Sequence, residues 1–154
     1  MARILSLEYE PSIGDGICHL LQTAGYEAVT TSNVHEALLI LRTQSIDLLT
    51  LAFGSRHVPP PESLRHLIPE EFHLPEFPVP AMNGEEFLSM VKADEQLCHI
   101  PVVLHTGHQR PTCAEFLRRF DLDIERDIAG HVLKGQADSI SKLLDTIGAV
   151  LRQR

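Results

Sequence analysis

Residues 46–53, Ile-Asp-Leu-Leu-Thr-Leu-Ala-Phe, constrain the fold more than any other stretch of the sequence. Four of the eight are Leu or Ile and there is no strict polar alternation, the pattern of a strand buried on both faces. Amphipathic helical patterns flank it in sequence, so it predicts the middle strand of a parallel sheet covered by helices. In an open sheet of that kind the chemistry sits just beyond the carboxyl ends of the strands. The residue there is Ala52, a methyl group.

The rest of the chain fits around that strand. Residues 3–7 read as a short apolar strand ending in Glu8-Tyr9-Glu10-Pro11, with Pro11 suited to the first turn of a helix. Ile13, Ile17, Leu20, Leu21 and Ala24 then form one apolar stripe at helical spacing, and Gly25 supplies a left-handed stop. Residues 28–31 are the next strand. Asn33 with Glu36 resembles a capping box, and Val34, Ala37, Leu38 and Leu41 give the second helix its inner face. After residue 83, Phe87, Leu88 and Val91 line a third helix. Residues 100–105 form a fourth strand, and Thr112 with Glu115 reads as another capping box, for a helix that turns Phe116, Leu117 and Phe120 inward. Residues 130–133 are a fifth strand, followed by a helix with Ile140, Leu143, Leu144, Ile147 and Leu151 on one face. The alternation predicts a doubly wound α/β sheet of five parallel strands with right-handed crossovers, one domain over residues 1–154.

Residues 54–81 interrupt the rhythm with a long insert after the third strand. They hold seven of the ten prolines and three of the nine histidines. Prolines so dense exclude a long helix or a central strand, leaving a turn or two of helix over residues 62–68. A connection of this length is usually a functional loop or a mobile one.

A net charge of −8 argues against a nucleic-acid surface. Arg118 and Arg119 read as a solvated helix face. No apolar run approaches membrane-spanning length, and the first residues do not read as a signal peptide. Cys18, Cys98 and Cys113 lack metal-type spacing and read as reduced thiols in a cytoplasm, with Cys18 packing in the core.

The residues after each strand form a constellation: Glu8-Tyr9-Glu10, Ala52, Thr106 and Lys134. With Ala24-Gly25-Tyr26, Glu36-Ala37-Leu38, Met82-Asn83-Gly84, the run from Pro101 to Gly107, and Val132-Leu133-Lys134-Gly135, it resembles the CheY-like receiver domains of two-component response regulators. The resemblance covers nearly the whole chain outside the insert, and it implies a flavodoxin-like fold with the five strands in order 2-1-3-4-5. It implies a site where an Asp after the third strand takes a phosphoryl group from a histidine kinase, with Mg²⁺ held by an acidic pair, and with a Thr and a Lys engaging the phosphate. Carried over by position, the acidic pair becomes Glu8 and Tyr9, the acceptor becomes Ala52, and the Thr and Lys remain as Thr106 and Lys134. Gly135 stands where the family has a Pro.

A methyl group cannot attack phosphorus, and one carboxylate is a poor Mg²⁺ site. Asp47 lies five residues earlier, on the opposite side and at the wrong end of the strand. The expectation is therefore a vestigial phosphorylation pocket (Glu8, Tyr9, Ala52, Thr106, Lys134) with no catalytic residue, no metal and no cofactor. The chain would be a stand-alone cytoplasmic pseudo-receiver acting through protein contacts, not an enzyme. By resemblance its partners are a histidine kinase or a downstream effector, met through the last two helices and the fifth strand, faces that could also form a homodimer. No nucleic acid or membrane is expected. The alternative is an enzyme, or a metal or small-ligand binder, that reuses the pocket with His57, His66 and His73 and Glu70 or Glu71, although their spacing matches no ligand motif.

Plainer readings stand beside these. Glu8 could be a strand-end carboxylate, Thr106 a loop cap and Lys134 a solvated cation. His131 takes the place where the family has an aromatic that moves on activation. It is a candidate switch position or pH sensor, or simply an edge-strand surface residue. With Ala52 beside it, Lys134 needs another partner, and Glu8 is the only carboxylate left at the strand ends. The two are expected within salt-bridge distance, partly buried.

Overall fold

The computed structural model describes residues 1–53 and 84–153. Their elements run β1 (Arg3–Leu7), α1 (Pro11–Thr23), β2 (Glu27–Thr31), α2 (Val34–Thr43), β3 (Leu48–Leu51), α3 (Gly84–Ala93), β4 (Val102–Thr106), α4 (Arg110–Arg118), α5 (Ile124–Asp127), β5 (Gly130–Leu133) and α6 (Ser139–Arg152). The strands form one sheet in the order β2-β1-β3-β4-β5, and every neighbouring pair is parallel. This is the doubly wound topology and strand order that the resemblance implied, with the 46–53 run in the middle. The 54–81 insert, its histidines and glutamates, and Met82-Asn83 lie outside the described residues.

Side-chain alternation divides the core between the two faces of the sheet. Leu5, Leu7, Leu49, Leu51, Val102 and Leu104 join the buried residues of α2, α3 and α4. Ile4, Leu48, Val103 and Val132 join Ile17 and Leu21 of α1 and Leu143, Ile147 and Val150 of α6. Leu48, Leu49 and Leu51 are fully buried, as a central strand requires.

Local signals explain most boundaries. Pro11 opens α1, and Gly25 follows it with φ +98°. The Asn33 side chain accepts from the N–H groups of His35 and Glu36, so it caps α2. The return half of the expected box is replaced, because the Asn33 N–H donates to Thr31 Oγ1 at 3.2 Å.

Several expectations need correction. Of the α1 stripe, only Ile17 and Leu21 are buried; Ile13 is 44% and Leu20 36% exposed, and Ala24 is exposed as well. The sheet covers a narrower arc of this helix than the stripe spans. Thr112 and Glu115 form no capping box, since Pro111 starts α4 earlier and Gln109 is the N-cap without a side-chain bond. Leu117 is buried, whereas Phe116 and Phe120 only pack partly against the core. The fourth strand runs two residues later at its start and one at its end than expected, and the one-turn α5, capped by Asp123, was not foreseen.

Candidate functional site

The carboxyl ends of β1, β3, β4 and β5 bring Glu8, Ala52, Thr106 and Lys134 to one edge of the sheet. Leu7 pairs with Leu51, and Leu51 with Leu104. Continuing that register by one residue puts Glu8, Ala52 and His105 in a single row, and His105 pairs with Val132. Lys134 follows two residues after Val132 on the edge strand.

From there the Lys134 ammonium donates to both oxygens of Glu8, at 2.7 and 2.6 Å. The ion pair thus joins β5 to β1 across the two strands that lie between them. Glu8 is 4% exposed and the Lys134 side chain 25%. A charge pair this dry is held by mutual attraction that offsets the cost of removing both ions from water. The partly buried pairing expected from the residues left at the strand ends is present.

Tyr9 stands at the second acidic position. Its hydroxyl is buried and has no hydrogen-bond partner among the described residues. A Cβ at Gly84 would come within 3.0 Å of that hydroxyl and 3.1 Å of the Ala52 carbonyl, so α3 starts hard against both. Burial, then the Glu85 carboxylate, push the phenol above its usual range. Among the described residues, the strand ends therefore offer one carboxylate already held by an ammonium, one neutral phenol and one methyl, with the Glu85 carboxylate buried beside them at the start of α3.

Thr106 is fully buried, and its hydroxyl accepts the His108 N–H at 3.2 Å, a local turn of the kind Thr favours. Its carbonyl accepts the Lys134 N–H at 2.8 Å. His131 is half-buried on the edge strand, and its Nε2 lies 3.0 Å from the His108 carbonyl. A carbonyl can only accept, so Nε2 carries the proton. Asp47 sits at the opposite end of the sheet, where Oδ2 accepts the Arg3 N–H at 2.8 Å.

Three residues at this edge were missed by sequence reasoning. His105 is 4% exposed with neither ring nitrogen partnered among the described residues. Burial, then the Lys134 charge, hold its pKa down at about 4, so the ring is neutral at pH 7. Glu85, buried at the start of α3, pushes up both Tyr9 and Cys113, whose thiol lies at about 11 chiefly through burial. His108 supplies the carbonyl that His131 meets. A His inside an apolar strand was the one available signal.

Beside His131 a groove of about 550 Å³ runs between α4, β5 and α6, with Arg110, Lys142 and Asp145 on its walls. Arg110 pairs with Glu125, and Lys142 with Asp138 at 3.3 Å, both on the surface. Arg118 and Arg119 are exposed, and Arg119 lies over the Phe116 ring. The Cys18 thiol donates to the Ala28 carbonyl at 3.4 Å, and the three cysteines are free. Among the described residues no cluster of three or more His, Cys, Asp or Glu could hold a metal ion. No helix among them is long and apolar enough to cross a membrane.

No family model matches the chain, and no curated protein sequence matches it. Solved structures do. The chemotaxis response regulator CheY4 of Vibrio cholerae superposes with a TM-score of 0.67 at 22% identity, over 97% of this chain and 98% of that one. A CheY-like receiver domain protein from Methanospirillum hungatei JF-1 gives 0.69 at 16% identity, over 99% and 95%. The receiver domain of a signal transduction histidine kinase from Syntrophus aciditrophicus gives 0.67 at 20%, over 99% and 92%. The sheet order, the helices on both faces and these superpositions together show that the chain has the CheY-like receiver fold.

Proposed function

We propose that this chain is an atypical receiver module of two-component or related signalling, acting through protein–protein contact without phosphorylation of an Asp. The observation that carries the reading is the Lys134 ammonium held by both oxygens of Glu8, in a site whose acceptor position is the methyl of Ala52. A phosphoryl group would find no nucleophile there and would have to displace a carboxylate from the lysine. Mg²⁺ needs several oxygen ligands in octahedral array. The strand-end carboxylate, Glu8, is engaged by Lys134 and Tyr9 is a neutral, buried phenol, so these strand-end donors do not fit the ion, and the chain is read as binding none.

With no reaction at the strand ends, function falls to the outer faces. The groove between α4, β5 and α6 is the contact face this reading selects, for a histidine kinase, a downstream effector or a second copy meeting α4 and α6. Nucleic acid is disfavoured by the net charge of −8. The cytoplasm is the compartment this role implies.

The test is an NMR titration of the isolated protein with millimolar Mg²⁺, then with acetyl phosphate added. The expected result is no saturable shift at Glu8, Ala52 or Thr106. Saturable Mg²⁺-dependent shifts there would overturn the reading in favour of a working receiver. Stoichiometric zinc in the purified protein would favour the ligand-binding alternative.

A further inference from the structure

The sheet order leaves two edge strands, β5 beside the groove and β2 on the far side. At one end of β2 the Glu27 N–H donates to the Ala2 carbonyl at 2.9 Å, and at the other the Thr31 carbonyl accepts the Glu8 N–H at 3.0 Å. Backbone groups alternate sides along a strand, so Ala28 and Thr30 turn their N–H and C=O groups away from β1, over the open edge. The Ala28 carbonyl takes the Cys18 thiol at 3.4 Å. The Ala28 N–H and both backbone groups of Thr30 have no protein partner among the described residues.

Proteins ordinarily blunt such an edge with lysine, proline or a bulge. Residues 28–31, Ala-Val-Thr-Thr, hold neither residue type, and their register with β1 runs one for one without a bulge. Ala28, Val29 and Thr30 are half-buried, and Val and Thr suit strand pairing. The one charge on the strand, Glu27, is tied to Arg3 at 2.7 Å. Beyond Thr30 the edge opens into a cleft of about 230 Å³ lined by Asp15 of α1, Thr31 and Ser32 at the end of β2, and Glu36 of α2. Glu8 also lines it, with its charge taken by Lys134. Asp15 and Glu36 make no ion pair among the described residues. The α1 wall is seated directly on the strand, since a Cβ on Gly14 would lie 2.6 Å from Thr30 Oγ1.

We propose that the β2 edge is a docking site for an extended segment of a protein partner, which adds to the sheet as one more strand and places an Arg or Lys side chain in the Asp15–Glu36 cleft. The open backbone groups of Ala28 and Thr30 supply the attachment, and the cleft supplies the selectivity, the division of labour usual in strand addition. A net charge of −8 draws a basic segment towards the protein before contact is made. A second copy is a poorer occupant, because residues 27–33 carry no Arg or Lys to fill the cleft. The site lies on the opposite edge of the sheet from the groove, so the two contacts do not compete. It depends neither on the groove being a contact face nor on what happens at Ala52.

The test is amide NMR of the isolated protein titrated with the capped peptide acetyl-Thr-Val-Arg-Val-Thr-amide up to about 10 mM, which resolves a Kd of about 1 mM. The expected result is a saturable shift with slowed solvent exchange at the Ala28 and Thr30 amides, accompanied by shifts at Asp15 and Glu36. Asp15→Asn combined with Glu36→Gln should weaken binding by about two- to tenfold, the range for one or two exposed ion pairs. The same peptide with Glu in place of Arg should bind more weakly still. Ala28→Pro removes an N–H that the ladder to β1 does not use, so it is tolerated at an edge and should abolish binding, with unshifted β4 and β5 amides reporting an intact sheet. Should that variant not fold, the peptide N-methylated at both Val residues takes its place and should not bind. No saturable shift, equal affinity for the Arg and Glu peptides, or binding that survives Ala28→Pro or N-methylation overturns the proposal. Shifts at Ala28 and Thr30 that grow with protein concentration alone assign the edge to a second copy and overturn it as well.

Discussion

Breaking the Glu8–Lys134 pair should cost different amounts from its two ends. At the 2.6 Å separation the bare attraction is about 6 kcal/mol at an effective dielectric of about 20, and desolvation of both ions cancels much of it. What remains after a single substitution depends on the ion left behind. Lys134→Met strands Glu8, which is 4% exposed, so the full penalty of about 3–5 kcal/mol for an uncompensated buried charge applies. Glu8→Gln leaves a lysine whose side chain is 25% exposed, and water screens part of the loss, reducing it to about 2–3 kcal/mol. The double variant should recover much of the larger single loss, since no lone charge remains. Urea unfolding at pH 7 measures all four proteins, with an unchanged m-value required before the midpoints are compared. For a chain of this size Lys134→Met should also lower Tm by roughly 6–20 °C. A cost of about 1 kcal/mol or less for Lys134→Met, with additive singles, would mean an exposed pair and refute the argument.

Two further outcomes follow from the same geometry. His105 has a folded pKa of about 4 against about 6.5 unfolded, so between those values the unfolded chain binds more protons and stability falls as pH drops from about 6.5 to about 4. The loss is about 3 kcal/mol at most, nearer 2 allowing for water around Lys134; acid titration of His105→Leu should lack this component, and an unchanged acid slope would refute the assignment. In α1, Gly14→Ala would put a Cβ 2.6 Å from Thr30 Oγ1 and should cost about 1–3 kcal/mol, while Gly16→Ala meets nothing within 4 Å and should stabilise by about 0.5–1 kcal/mol. Equal effects of the two on urea midpoints would contradict the packing described between α1 and β2.

The elements easiest to read in the sequence were those whose neighbours leave no choice. Residues 3–7 and 130–133 became β1 and β5 with the bounds expected, because each short run gives way to charged residues and then to a turn or helix starter, Pro11 after the first and Gly135 after the second. The Glu8–Lys134 contact was legible by elimination, as only one carboxylate remained to face the lysine. Burial was less legible. Ile13 and Leu20 belong to a helical stripe that the sequence shows plainly, yet how wide an arc of α1 the sheet covers depends on where α6 packs. His105 and Glu85 escaped notice for a related reason: their significance lies in being buried beside Lys134 and Tyr9, residues distant in sequence. At α4, Pro111 outweighed the Thr112–Glu115 signal, since a proline suited to the first turn fixes the start of a helix more firmly than a side-chain cap.

Ala52 at the acceptor position of this receiver fold is expected to take no phosphoryl group. Intact-mass spectrometry after incubation with acetyl phosphate and Mg²⁺ tests it most directly. The wild-type chain should keep its mass unchanged. A stoichiometric phosphoryl adduct that hydroxylamine removes, as it removes acyl phosphates, and that Glu8→Gln abolishes, would contradict it and return the chain to the phosphorylated receivers.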